Sequence, residues 1–143
     1  MILDLSRWQS RRDYWQQLAT ISQCLDSPAY SAHAGRRSEA TLSEVLDATR
    51  ACEDLMGVPT AVEGHYPTAN EAFHIATLAE YRAVMESGVR YVVDLSHIHI
   101  CAVAERNHDM GLVKALVENE RCLEVHVSAN NGRRDEHRLI THR

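Results

Sequence analysis

No run of about 18 apolar residues occurs in this 143-residue chain, so no segment reads as a membrane span. No charged-then-apolar leader stands before Trp8, which argues against a secretory signal and makes the cytoplasm the expected compartment. Cys-x-x-Cys pairs are missing as well. Cys24, Cys52, Cys101 and Cys122 are widely spaced, and three lie in or beside apolar runs, where a thiol behaves as a small hydrophobe. They are expected to be reduced and structural. A basic surface is also lacking: the net charge is −5, and basic residues pair only at Arg36-Arg37 and Arg133-Arg134. No footprint for a nucleic-acid backbone follows from that, and no nucleic-acid partner is predicted. Neither a Gly-x-Gly-x-x-Gly loop nor a phosphate-loop lysine follows any strand-like run, which removes the main support for a nucleotide fold.

What is present is an alternation of helical and extended patterns along a single domain spanning residues 1–143. The length is sufficient to bury about two thirds of the unfolded surface without disulfide staples. Tyr14, Leu18, Ile21 and Leu25 recur at three- and four-residue steps, predicting a helix over Arg12–Leu25 with that face buried. A short extended run, Ala29–His33, follows. Thr41-x-x-Glu44 has capping-box spacing ahead of Leu42, Val45, Leu46, Ala48, Cys52 and Leu55, and Gly57 stands where a helix needs a left-handed residue to end. Val58–Glu63 reads as the next strand. Thr68-x-x-Glu71 repeats the capping spacing, with Phe73, Ile75, Leu78, Tyr81, Val84 and Met85 as the apolar face and Gly88 as the stop. Val89–Leu95 is the continuous apolar run of a strand covered on both faces. Asn107–Glu118 predicts another crossover helix, and Cys122–Val127 a fourth strand.

A rhythm runs through these units. His33, Glu63, Asp94 and His126 fall about 31 residues apart, each at the polar end of a strand-like run, which is the length of one strand-plus-helix unit in a parallel barrel. In a closing barrel the polar residues at several strand ends converge, whereas an open doubly wound sheet concentrates its site at one switch crevice. A barrel-type wall of about four parallel strands, half of a TIM barrel, is therefore the expected fold.

His33-Ala34-Gly35, Ala61-Val62-Glu63, Asp94-Leu95-Ser96-His97, Glu124-Val125-His126 and Asn131-Gly132-Arg133-Arg134-Asp135-Glu136-His137 together resemble the xylose-isomerase-like (β/α)8 barrels. That superfamily includes sugar isomerases and epimerases, apurinic endonucleases and multinuclear non-haem iron enzymes. The likeness runs from about Tyr14 to Leu139 and covers the third to sixth strand units. It implies strand-end metal ligands at His33, Glu63, Asp94, His97 and His126, and a following loop that carries Asp135 and His137.

Two carboxylates with imidazoles and no thiolate suit Mn²⁺, Fe²⁺, Co²⁺ or Zn²⁺ in an open catalytic site rather than a closed structural one. Glu63, Asp94 and His126 form the expected minimal cage, with His33, His97, Asp135 and His137 as further ligands, orienting groups or the ligands of a second ion. His97 can join Asp94 only if the strand ends near Leu95, because residues an odd number apart on a strand face opposite ways. Arg133 and Arg134 could clamp an anionic tail, although paired loop arginines are more often only solvated. His65, His74, His99, His108 and His142 read as structural or solvated.

The expected activity is metal-dependent isomerisation or epimerisation of a sugar-like or hydroxy-carbonyl small molecule, with Glu63 as ligand and proton shuttle. Two metals would favour hydrolytic or oxidative chemistry. Four strands leave two sheet edges and an inner face uncovered, so a homodimer or a complementary chain is expected to complete the pocket. A non-catalytic half-barrel remnant or interaction protein is the alternative.

Overall fold

Thr41 and Gly57 bracket the second helix as their chemistry requires. The Thr41 side chain accepts from the Glu44 N–H at 3.3 Å, Glu44 Oε2 accepts from the Thr41 N–H at 2.7 Å, and Gly57 closes the helix at φ 71°. In a computed structural model describing residues 3–70 and 72–140, this unit is one of four strand-plus-helix steps. Two single 3-10 turns, Leu5–Arg7 and Gln9–Arg11, lead into α1 (Arg12–Cys24), β1 (Tyr30–His33), α2 (Leu42–Met56) and β2 (Thr60–Glu63). Then come α3 (Leu78–Ser87), β3 (Arg90–Asp94), α4 (Leu95–Glu105), α5 (Met110–Glu118) and β4 (Cys122–His126). The strands form one sheet in the order β1-β2-β3-β4, and every pairing is parallel. The chain is thus α/β, with interleaved helices and a sequential parallel sheet of half-barrel type. No helix among the described residues is long and apolar enough to cross a membrane.

The sheet has a core face and a site face. Ala32, Val62, Tyr91 and Val93 join the hydrophobic core with Val45, Cys52, Tyr81, Val84 and Leu116 of the helices. Side chains alternate along a strand, so His33, Glu63, Val92 and Asp94 face the other way. On β4 that alternation is rescued by a bulge. Cys122 pairs with Tyr91, but Glu124, Val125 and His126 pair with Val92, Val93 and Asp94. The extra residue, Leu123, moves Glu124 and His126 onto the site face, because a one-residue slip reverses every side chain beyond it.

Several expectations need correcting. The buried face of α1 is Trp15, Ala19 and Ser22, whereas Tyr14, Ile21 and Leu25 are exposed. Trp15 decides this: it is fully buried, with its ring 5.4 Å from Trp8 and 6.4 Å from Tyr30, and the largest side chain outweighs several smaller ones offset by one position.

The helix expected to begin at Thr68 begins instead at Leu78, capped by Thr77 with Glu80, the same Thr-x-x-Glu spacing nine residues later. Glu71, the partner expected for Thr68, lies outside the described residues. Phe73 and Ile75 are not helical, because the backbone around them is already bonded: Arg37 N–H to Ala72 C=O, His74 N–H to Gly35 C=O and His65 N–H to Ile75 C=O.

Between β3 and α5 stands α4, which the sequence patterns did not indicate. Its buried residues Ser96, His97, Ile98, Ile100, Cys101 and Ala102 leave no apolar stripe to detect. The helix expected from Asn107 is shortened to Met110–Glu118, with Asp109 as its cap. The four cysteines are free thiols; Cys24 is exposed rather than packed.

Candidate metal centre

Asp94 ends β3 and begins α4, and that double position builds the centre. Its Oδ1 accepts from the Ser96 and His97 N–H groups at 2.7 and 3.3 Å, capping the helix, while Oδ2 stays toward the site. The switch from strand to helix directly after Asp94 changes the geometry from a two-residue to a 3.6-residue period. His97, three positions on, therefore lies on the Asp94 side, with Nε2 3.7 Å from Asp94 Oδ2. The condition that the strand end near Leu95 is met.

Seven expected residues line one pocket of about 370 Å³: His33, Glu63, Asp94, His97, His126, Asp135 and His137, together with His65, Tyr66, Val127 and Ser128. Glu63, Asp94 and His97 are its tightest set, each offering a ligand atom within 4.8 Å of the others. Ligand atoms on one cation with bonds of about 2.1–2.2 Å stand roughly 3.5 Å apart at the tetrahedral angle, and His97 Nε2 and Asp94 Oδ2, at 3.7 Å, are close to that separation. The compact trio thus contains His97 where His126 was expected. His126 stands beside it, Nδ1 3.4 Å from Glu63 Oε1, and His33 Nδ1 lies 3.9 Å from Glu63 Oε2.

Asp135 and His137 arrive on the segment after β4, a loop closed at its base by an antiparallel bridge between Ala129 and Arg138. Asp135 Oδ1 is held by the Ser96 hydroxyl at 3.2 Å and the His137 N–H at 3.1 Å. Its Oδ2 faces His97 Nε2 at 3.4 Å and His137 Nε2 at 3.1 Å. Burial works to raise the Asp135 pKa, but the His137 N–H, the Ser96 hydroxyl and the two imidazoles outweigh it and hold the carboxyl below its usual range. Arg133 and Arg134 are exposed and do not line the pocket.

The ring of His97 is held on both edges and one face. Its Nδ1 donates to the Gly64 carbonyl at 3.1 Å, since a carbonyl only accepts, and this leaves the Nε2 lone pair toward Asp94 and Asp135. His65 stacks on it at 5.5 Å, backed by Phe73 at 4.0 Å, and Tyr66 leans against it at 5.0 Å. His65 and Tyr66, like Val127 and Ser128, are pocket residues that the sequence patterns do not single out; His65 reads from sequence as structural or solvated. Its only signal was position, two residues past the Glu63 strand end. The same loop holds Ile75 at φ 55°, a left-handed conformation rare for a β-branched residue, while its carbonyl accepts the His65 N–H at 2.8 Å.

A cation fits these residues on three observations. The donor set is oxygen and imidazole nitrogen. The Oδ2 atoms of Asp94 and Asp135 converge on one imidazole nitrogen. His33 Nδ1 is buried without a hydrogen-bond partner, as a ligand atom awaiting a metal would be.

Among the imidazoles, His126 has its pKa raised above 6.5: burial acts to lower it, but the Glu124 hydrogen bond and the charges of Glu63 and Asp94 prevail. A raised folded-state pKa stabilises the protonated form. The contribution is fully present below the unfolded value of 6.5 and is lost as pH rises through the folded one. Urea unfolding of metal-free protein should therefore show the advantage of wild type over His126→Asn shrinking as pH climbs from about 5.5 to about 8.5. A constant difference would place His126 outside the carboxylate field.

No family model matches the chain, and no curated protein matches it in sequence.

Proposed function

We propose that this chain is a divalent-metal-dependent enzyme of the isomerase or epimerase type, acting on a sugar-like or hydroxy-carbonyl small molecule. One observation carries this reading: four strand ends, the first turn of α4 and one loop bring seven potential oxygen and nitrogen ligands to a single pocket, with ligand atoms of Glu63, Asp94 and His97 within 4.8 Å of one another. The resemblance of the strand-end motifs to xylose-isomerase-like barrels supports the same assignment. Glu63, Asp94 and His97 would hold the ion, with His126 and His33, which flank Glu63, as further ligands.

Once bound, a divalent ion supplies Lewis acidity, polarising a carbonyl or hydroxyl of the substrate. Glu63, facing two imidazoles, is placed to take a proton from a substrate carbon or hydroxyl and return it. Tyr66 and the His65 edge bound the pocket on the β2 side and restrict how a small molecule can lie against Glu63. β4 is half exposed along its length, and the His126 side chain is 41% exposed, so a second subunit or a partner chain is proposed to cover that side and exclude water.

A second reading is favoured by Asp135 and His137. Asp135 Oδ2 lies 3.4 Å from His97 Nε2 and 3.1 Å from His137 Nε2, a second ligand group next to the first, and two adjacent ions would suit hydrolytic or oxidative chemistry.

The test is metal content by mass spectrometry of protein equilibrated separately with Mn²⁺, Fe²⁺, Co²⁺ and Zn²⁺, combined with solution mass. About one ion per chain in a dimer supports the isomerase type, and about two the multinuclear reading. A monomer that retains none of the four ions would overturn both.

A further inference from the structure

Glu124 does not line the pocket, yet it touches one of the imidazoles that do. Its Oε2 lies 3.1 Å from His126 Nε2, while His126 Nδ1 lies 3.4 Å from Glu63 Oε1. A neutral imidazole carries one N–H and one lone pair. An ionised carboxylate only accepts, so the Glu124 contact places the hydrogen on Nε2 and leaves the Nδ1 lone pair aimed toward Glu63. Two acceptor atoms 3.4 Å apart are satisfied together by a shared cation.

The pairing depends on the β4 bulge. With regular pairing onward from Cys122 and Tyr91, Glu124 and His126 would both point to the core; the extra Leu123 turns both to the site face, two residues apart on the same side. The neighbouring His97 is oriented in the opposite sense, with Nδ1 donating to the Gly64 carbonyl and Nε2 presented to the site. His97 and His126 thus each have an acceptor of their own on the nitrogen that faces away from the pocket carboxylates.

We propose that Glu124 is a positioning residue that holds His126 in the Nε2–H form and presents its Nδ1 lone pair beside Glu63. This rests on the metal reading of the pocket, and the test separates the two.

Zn²⁺ affinity is measured by competition with a chromogenic chelator for wild type, Glu124→Ala and Glu124→Gln. In parallel, ¹⁵N-resolved spectra of the His126 ring are recorded on metal-free protein at the alkaline end of a pH titration, where the ring signals no longer move. Glu124→Ala is expected to weaken Zn²⁺ binding by about 10- to 100-fold and to release the ring into a mixture of tautomers. Glu124→Gln keeps an acceptor oxygen and should recover most of the affinity. If folded Glu124→Ala binds Zn²⁺ within about twofold of wild type and the ring is unchanged, the proposal is overturned. If wild type takes up no Zn²⁺, the metal reading fails by itself, and the ring spectra still decide on Glu124: an Nε2–H form lost in Glu124→Ala supports it, an Nδ1–H form in wild type refutes it.

Discussion

Glutamine in place of Glu63 is expected to lower divalent-metal affinity by at least about 100-fold, at or beyond the upper end of what loss of an orienting group costs. Glu63 belongs to the compact ligand trio, and its two oxygens also face His126 and His33 at 3.4 and 3.9 Å. Glutamine preserves shape and one acceptor oxygen but removes the charge, and Glu63 is 13% exposed, so its charge is poorly screened by water. The metal-free variant should remain folded, within about 1 kcal/mol of wild type, since removing a carboxylate beside Asp94 relieves repulsion as well as losing the attraction to His126. Isothermal titration with Zn²⁺ or Mn²⁺, paired with urea unfolding of the metal-free form, checks both halves. Unchanged affinity removes Glu63 from the centre.

Alanine in place of Gly64 should damage fold and site together. The residue follows β2 directly, and a Cβ there would run into the hydroxyl and ring of Tyr81. That ring cannot retreat: Tyr81 is 2% exposed in the core, and its hydroxyl donates to the His65 carbonyl at 3.1 Å. Overpacking of this kind costs about 1–3 kcal/mol, or a fall of several degrees in Tm for a chain of this size. The Gly64 carbonyl also fixes the His97 ring, so metal affinity should fall with stability. Tyr81→Phe combined with Gly64→Ala should be more stable than the two single losses added together, because losing the hydroxyl removes one clashing atom and the bond to the His65 carbonyl that holds the ring in place. Additive losses in urea unfolding would mean that the two positions do not compete for space.

The strands were legible because their signals are local. Apolar runs ending in one polar residue, repeated at one interval, placed all four strands to within a residue or two. Thr41, Glu44 and Gly57 fixed α2 through groups that bond within four residues of themselves. α1 was legible as a helix but not in its rotation, since Tyr14, Leu18, Ile21 and Leu25 satisfy the helical period as well as Trp15, Ala19 and Ser22 do. Two Thr-x-x-Glu spacings competed for the start of α3. The choice of Thr77 over Thr68 came from pairing of residues 72–75 with residues 35–37 and 65, contacts that no local pattern records. α4 was hidden by its burial on several sides, although Asp94 is a good cap residue and was a usable signal.

For the centre, residue type and strand-end placement were written in the chain. His33, Glu63 and Asp94 share a face because each strand alternates with a period of two and each repeat is one strand-plus-helix unit long. Which of the seven stand within ligand distance was decided by tertiary structure alone. His97 enters the trio because β3 passes into α4 at Asp94. His126 faces the site because Leu123 is an extra residue against its partner strand. His65 joins because its loop is folded back under Phe73. Each of these is a change of register or direction, and its outcome depends on what the neighbouring strand or helix offers rather than on the residues that make the turn.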